Sequence, residues 1–132
     1  MIAVDTSAVI AVALRESGWD RCRGVLRSND LIMSAANLAE ALVVAHRRGV
    51  PAEVQSLVDG LAIEIAAVTA GDAIRVAAAH ARWGKGVHPA GLNYGDCFAY
   101  ALATGLDVPL LFVGDDFART DVRSALPRAA ED

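Results

Sequence analysis

Several acidic residues occupy positions where a parallel β-sheet would bind a ligand. Asp5 directly follows the apolar run 2–4, and Asp115 follows the apolar run 110–113 after a single glycine. Continuous apolar runs of this kind are typical of strands buried on both faces of a parallel sheet. In such a sheet the ligand site lies beyond the carboxyl ends of the strands. Asp96, near the start of a predicted helix, occupies a further edge position.

Glu40 is predicted on a helix that is apolar nearly all round. It lies opposite the expected core stripe, yet Val43 and Val44 are among its neighbours there. A carboxylate in such surroundings needs a cationic partner or a metal. Arg47, seven residues further on the same face, is the alternative partner. The expected core stripe of this helix is Leu38, Ala41, Leu42 and Ala45.

A cluster of these acids would favour a divalent cation. Carboxylates held close together repel each other and raise each other's pKa unless a cation lies between them. Oxygen-only ligation selects Mg²⁺ or Mn²⁺ over zinc, and Cys22 and Cys97 lie too far apart to suggest a zinc site. The motifs of a nucleophile elbow, a P-loop and a dinucleotide fingerprint are missing. The simplest chemistry for such a site is attack of metal-activated water on a phosphodiester.

Each acid also has a purely structural interpretation. Asp5 could cap the helix that follows it. Asp96 comes three residues after Asn93 and could be the carboxylate of a capping box. Asp115 and Asp116 could be turn residues, which is common after a glycine.

The composition is that of one globular domain. The chain has 132 residues, of which 55% are hydrophobic and 21% are charged, and its net charge is −4. An acidic chain binds nucleic acid poorly through bulk charge, so any phosphate contacts must be local. The longest apolar run, 8–14, falls well below the ~20 residues of a membrane span, and the N-terminus lacks the positive region of a signal peptide. We therefore expect a cytoplasmic protein with reduced cysteines and no membrane contact.

Apolar runs alternate with helical patterns along the chain, which predicts an α/β domain with a mainly parallel sheet. No linker or repeat divides the chain, so residues 1–132 are expected to form a single domain, with a frayed tail at about 128–132. For the helix after Thr69 the expected core stripe is Ile74, Ala77, Ala78 and Ala81. Strands are predicted at 2–4, 31–33, 62–68 and 110–113, with Ile63 and Ile65 facing one way, and helices at 7–14, 19–26, 35–48, 54–61, 69–83 and 93–104.

Four segments together resemble the PIN-domain ribonucleases, specifically the VapC-type toxins of bacterial toxin–antitoxin systems. A further stretch, GKGVHPAG at 84–91, is similar to one VapC subgroup. The segments span nearly the whole chain in the family's order and spacing. They are VDTSA at 4–8, SAANLAEA at 34–41, LNYGDC at 92–97 and LFVGDDF at 111–117.

The resemblance implies a PIN-like three-layer α/β/α domain and a metal-dependent endoribonuclease. It implies that Asp5 and Asp96 ligate Mg²⁺, or alternatively Mn²⁺, and that Glu40 and a fourth acid complete the catalytic site. It further implies cleavage of structured RNA such as tRNA or rRNA, a homodimer, and a cognate VapB-like antitoxin that blocks the site.

The fourth acid is either Asp115 or Asp116. Many family members carry this acid further ahead of the Asp-Phe pair, where the present chain has Gly114. We favour Asp115, which is nearer the strand end, and expect Asp116 to hold the loop through Arg119 and Thr120.

Neighbouring polar residues suggest supporting roles. Thr6 and Ser7 could hydrogen-bond a ligand carboxylate, and Asn93 could orient Asp96 or the substrate, although turn and cap chemistry would explain them equally well. Basic side chains near the acid-bearing segments could contact RNA phosphates or could simply be solvated. They are Arg82, Lys85, His88 and Arg119.

Two other functions deserve comparison. A receiver-like signalling domain also gathers acids around Mg²⁺, but it needs paired acids at the first strand and a lysine after a later strand, and this sequence has neither. A catalytically silent PIN scaffold that only binds RNA or protein is disfavoured because all four acidic positions are filled.

Overall fold

A computed structural model describes residues 1–126, and the predicted tail at 128–132 lies outside them. The α/β class is confirmed: strands and helices alternate along the chain. None of the helices within residues 1–126 has the length and apolarity needed to cross a membrane. The elements are β1 (Ile2–Val4), α1 (Thr6–Leu14), α2 (Trp19–Ser28), β2 (Leu31–Ser34), α3 (Ala35–Arg47), α4 (Pro51–Gly60), β3 (Glu64–Ala66), α5 (Ala70–Trp83), α6 (Tyr94–Leu106), β4 (Leu110–Leu111) and a 3₁₀ turn, Phe117–Arg119.

The four strands form one parallel sheet in the order β3-β2-β1-β4. β1 is central, and all three of its residues are buried. Its side chains alternate between two cores: Val4 packs with the core that includes Met33, whereas Ala3 packs with the core that includes Leu110. Because both faces of the sheet are covered by helices, the predicted three-layer arrangement is confirmed.

Three helices begin close to the carboxyl ends of the central strands, and a polar residue caps each of them. Asp5 caps α1, Ser34 caps α3 and Asn93 caps α6. α3 packs against both α1 and α6. This packing carries the residues of the first helical turns to one edge of the sheet, where the candidate site lies.

The core face of α5 was predicted wrongly. Its buried residues are Val76, Ala79 and Trp83, and Ile74 is 72% exposed. In an alanine-rich helix the faces differ little in apolarity, so the large residues Val76 and Trp83 decide which face packs inward. The other residues of the predicted stripe, Ala77, Ala78 and Ala81, are exposed as well.

Several element boundaries also differ from the prediction; α4, for example, begins at Pro51 and not at residue 54. α6 continues through Gly105 and ends at Leu106, and the capping residue Asp107 adopts the left-handed conformation with φ 53°. β3 is shorter than the apolar run: Ile63 is buried ahead of the strand, whereas Ile65 within it is 37% exposed. β4 pairs with β1 over two residues only, after which the chain turns into the loop that carries Gly114.

Candidate active site

Asp5 is both a helix cap and a buried acid at the end of β1. Its side chain is almost fully buried, with the residue 4% exposed. The Oδ2 atom accepts hydrogen bonds from the Ser7 backbone N–H at 3.0 Å and from the Ser7 hydroxyl at 2.6 Å. The other oxygen, Oδ1, accepts no hydrogen bond from the described residues. The capping role and a ligand role are therefore compatible, because capping uses only one oxygen.

Glu40 is held by polar groups rather than by a cation. Its Oε1 atom accepts a hydrogen bond of 2.6 Å from the Thr6 hydroxyl and lies 3.5 Å from the Asn37 side-chain nitrogen. Within residues 1–126 Arg47 forms no ion pair with Glu40, so the alternative partner does not neutralise it.

Asp96 occupies the first turn of α6 and forms the predicted capping box with Asn93. The Asn93 backbone N–H donates to Asp96 Oδ2 at 3.0 Å, and the Asp96 backbone N–H donates to Asn93 Oδ1 at 2.8 Å. These two bonds fix the carboxylate at the helix N-terminus, where the partial positive charge of the helix favours an anion.

The acids act on one another electrostatically. Burial raises the pKa of Asp5 to about 6; the two hydrogen bonds from Ser7 oppose the rise, and the negative charges of Asp96 and Glu40 add to it. Burial also raises the pKa of Asp96. The hydrogen bond from Asn93 opposes this rise, and the negative charges of Asp116 and Glu40 add to it. The structure therefore brings the predicted acids Asp5, Glu40 and Asp96 close enough for their charges to act on one another.

The donor chemistry fits a hard divalent cation. The acids supply only oxygen atoms, and none of them takes part in the ion pairs found within residues 1–126. Within residues 1–126, no group of three or more acidic, histidine or cysteine side chains is arranged so that it could hold a metal ion. Mg²⁺ keeps several of its waters and is commonly bound through one or two carboxylates, so it does not require three protein ligands.

The loop after β4 corrects one of our interpretations. Asp116 does not hold the loop through its neighbours, because the Arg119 guanidinium donates to the Pro89 carbonyl at 3.0 Å and the Thr120 hydroxyl donates to the Phe117 carbonyl at 2.7 Å. Although Asp116 precedes the 3₁₀ turn, its side chain forms no capping hydrogen bond. Its charge acts on Asp96, whereas Asp115 is not among the charges that act on Asp96 or Asp5.

The predicted supporting residues all contact the acids. Thr6 bonds to Glu40, Ser7 to Asp5 and Asn93 to Asp96. Ser7 also accepts a hydrogen bond of 3.0 Å from the Val113 backbone N–H. This bond ties the segment after β4 to the end of β1, which the local sequence did not indicate.

Three of the four predicted RNA-contacting residues already have protein partners. Arg82 pairs with Asp121 at 3.6 Å and lies 4.4 Å from the centre of the Trp83 ring. His88 Nδ1 accepts a hydrogen bond of 2.9 Å from the Ala90 backbone, and Arg119 binds the Pro89 carbonyl. The exposed Lys85 side chain has no polar partner within residues 1–126. A role in RNA binding stays a prediction for all four.

Sequence reasoning missed two residues of the site, Asn37 and Gly95. Asn37 is fully buried, and its side-chain nitrogen donates to the Gly95 carbonyl at 3.0 Å. A signal was present: Asn37 precedes Ala41 by four residues and Ala45 by eight, which places a polar side chain on the buried face of α3.

The raised pKa of Asp5 predicts a pH-dependent stability. Its pKa is about 6 in the folded protein against an ordinary 3.8, so folding favours the protonated form. In EDTA the free energy of unfolding should therefore fall as the pH rises from about 4 to about 6, by up to about 3 kcal/mol for this group. Denaturant unfolding of the wild type and of Asp5→Asn between pH 4 and 7 measures the effect. The asparagine variant should show a weaker fall; identical slopes would refute the assignment.

Comparison with known proteins places this site in a family. Residues 2–123 match the family model of the PIN domain. The chain therefore belongs to the PIN-domain family. Within that family it belongs to the VapC ribonucleases. It is 44% identical to VapC ribonuclease Mb2780c of Mycobacterium bovis over 128 residues, and this alignment covers 92% of this chain and 97% of that protein. Ribonuclease VapC30 of Mycobacterium tuberculosis is 40% identical over 131 residues, covering 96% and 100%.

Solved structures show the same fold at low sequence identity. The Mycobacterium tuberculosis toxin VapC20, described as cleaving the sarcin–ricin loop, superposes with a TM-score of 0.78 at 15% identity, over 96% of this chain and 100% of that one. VapBC2 of Rickettsia felis, bound to a promoter DNA fragment, gives a TM-score of 0.68 at 17% identity, with coverages of 94% and 96%.

Proposed function

We propose that this protein is an Mg²⁺-dependent endoribonuclease toxin, with Mn²⁺ as an alternative metal, that cleaves structured RNA such as tRNA or rRNA. The observation that carries the proposal is that Asp5, Glu40 and Asp96 lie near one another. Glu40 accepts a hydrogen bond from Thr6, the residue after Asp5, and packs on Gly95, the residue before Asp96. Membership of the VapC ribonucleases supplies the reaction class. Asp5 is buried, and burial raises its pKa. Acids with perturbed pKa values are common at functional sites, which supports a functional rather than a purely structural role.

The catalytic roles follow from what each side chain can supply. Asp5 and Asp96 offer the oxygen ligands, and Glu40 adds charge beside them. A divalent ion held there would lower the pKa of water and stabilise negative charge on the scissile phosphate. Ser7 holds the carboxylate of Asp5, and Thr6 holds that of Glu40, so neither needs to reorganise when substrate binds.

RNA binding must overcome the net charge of −4. Lys85 is exposed and without a polar partner in the described chain, which leaves its ammonium group available for a phosphate. Arg82, His88 and Arg119 lie in the same part of the fold and are fixed by protein contacts, so they would offer a preformed surface. We assign these four residues to the RNA contact.

The same acids favour a protein inhibitor. A guanidinium group binds carboxylates through two parallel hydrogen bonds. We therefore propose a VapB-like antitoxin that inserts a basic residue among Asp5, Glu40 and Asp96. Toxin–antitoxin complexes are among the solved structures with this fold. We also propose that the toxin is a homodimer.

Mapping RNA 5′ ends tests the proposed function. Expression of the protein in a bacterial host should arrest growth and create new 5′ ends at one or a few positions of a structured RNA. Co-expression of a small open reading frame adjacent to the gene should remove both effects. Absence of new ends, with the protein soluble and folded, would favour the catalytically silent scaffold.

Asparagine variants distinguish the two candidates for the fourth acid. The charge of Asp116 acts on Asp96, and its side chain serves no cap, so we expect Asp116→Asn to weaken metal-dependent cleavage by about tenfold. Asp115→Asn should leave cleavage within about twofold of the wild type. Cleavage rates over a series of Mg²⁺ concentrations measure this difference, and the reverse pattern would assign the fourth position to Asp115.

A further inference from the structure

Glu40 and Gly95 approach each other so closely that a side chain at position 95 would displace the Glu40 carboxylate. A Cβ atom added to Gly95 would lie 2.9 Å from both Cδ and Oε1 of Glu40, and closer still to Oε2. Carbon and oxygen atoms that are not bonded do not approach to such distances. The carboxylate of Glu40 therefore lies directly on the backbone of the first turn of α6, one residue before Asp96.

The conformation of Gly95 does not explain the choice of glycine. Its φ angle is outside the left-handed region, so any residue could adopt this backbone. Within a helix, alanine is more favourable than glycine by about 1 kcal/mol. The space needed by Glu40 is a reason for glycine here.

Asn37 contacts both partners. Its side-chain nitrogen donates to the Gly95 carbonyl at 3.0 Å and lies 3.5 Å from Glu40 Oε1, so it bridges α3 and α6. Its oxygen, Oδ1, is buried and has no hydrogen-bond partner within residues 1–126. An unpaired buried acceptor is costly, and an apolar residue would avoid that cost. The hydrogen bond that Asn37 donates to Gly95 is the contact that offsets this cost.

We propose that Gly95 and Asn37 are positioning residues that determine where the Glu40 carboxylate lies relative to Asp96. Gly95 provides the space, and Asn37 holds α3 and α6 at the distance where that space is filled. The inference rests on the proposed function only for its effect on cleavage; the contact itself is independent of any activity. Neither residue is proposed to touch metal or RNA.

Gly95→Ala tests the proposal, and Glu40→Asp provides the compensating change. The added methyl should displace Glu40 and raise the Mg²⁺ concentration for half-maximal cleavage by about tenfold or more. Aspartate is one methylene shorter and would leave room for the methyl group. In the Glu40→Asp background we therefore expect Gly95→Ala to cause little further change. Gly24→Ala is the matched control, because Gly24 is also helical and has nothing within 4 Å of its added Cβ.

Stability provides a readout that does not depend on cleavage. The wild type, Gly95→Ala, Glu40→Asp and the double variant form a double-mutant cycle. In EDTA, Gly95→Ala should lower the melting temperature of the wild type but not that of Glu40→Asp. Gly24→Ala should not lower it. Equal effects of Gly95→Ala in both backgrounds would overturn the proposed contact. A normal Mg²⁺ dependence in Gly95→Ala would overturn its positioning role, whereas an inactive wild type with the expected cycle would overturn only the proposed function.

Discussion

Replacing Asp5 or Asp96 with asparagine is expected to abolish RNA cleavage in a protein that still folds. Each change removes one negative charge and keeps the shape of the side chain. The amide oxygen of the Asp5→Asn variant would still accept the hydrogen bonds from Ser7, so the start of α1 should persist. Removing a preorganised electrostatic group costs roughly a hundredfold or more in rate. Cleavage assays and circular dichroism on the same preparations measure both effects.

Asp72→Asn is the matched control for Asp96→Asn. Asp72 is the third residue of α5 and forms a capping box with Thr69, as Asp96 does with Asn93 in α6. The control therefore removes the equivalent capping carboxylate from a helix outside the candidate site. It should retain cleavage near the wild-type rate. If Asp96→Asn cleaved as well as Asp72→Asn, the role of Asp96 would be structural only.

Removal of divalent metal should have an effect of similar size. The acids have no cationic partner among the ion pairs of residues 1–126, and Asp5 is buried with its pKa raised to about 6. Without a cation, the negative charges of these acids would repel an RNA phosphate. We expect a chelator to stop cleavage, and Mg²⁺ or Mn²⁺ added in excess to restore it. Full cleavage in EDTA by extensively dialysed protein would exclude metal dependence.

The sheet could be predicted because its strands carry a strong local signal. A central parallel strand is apolar on both faces, as Ile2–Val4 is, and the first polar residue after it marks the strand end. The core face of α5 could not be predicted, because alanines on all sides of a helix leave the direction of packing to Val76 and Trp83, which contact residues distant in sequence.

The positions of Asp5 and Asp96 could be predicted from a strand end and a helix start, which are local features, and Glu40 was predicted from its apolar neighbours on α3. Asp5 and Asp96 serve as caps and as members of the candidate site at once, so the structural and the functional interpretations did not exclude each other. The choice between Asp115 and Asp116 as the fourth acid depended on the path of a loop. That path is set by the contact of Arg119 with Pro89, thirty residues earlier in the chain.

The contact of Glu40 with Gly95 lay beyond sequence reasoning. It depends on the distance between α3 and α6, which no local pattern specifies. The glycine at position 95 was the one available sign, since glycine is less favourable than alanine within a helix.

Direct measurement of metal binding tests the central claim, that these carboxylates form a divalent-metal site. Titration of the metal-free protein with Mn²⁺ in a calorimeter, without RNA, avoids any assumption about the substrate. The wild type and Asp72→Asn should bind with the same affinity, and Asp5→Asn and Asp96→Asn should bind at least about tenfold more weakly. Equal binding by all four proteins, or no binding by the wild type at millimolar Mn²⁺, would contradict the claim.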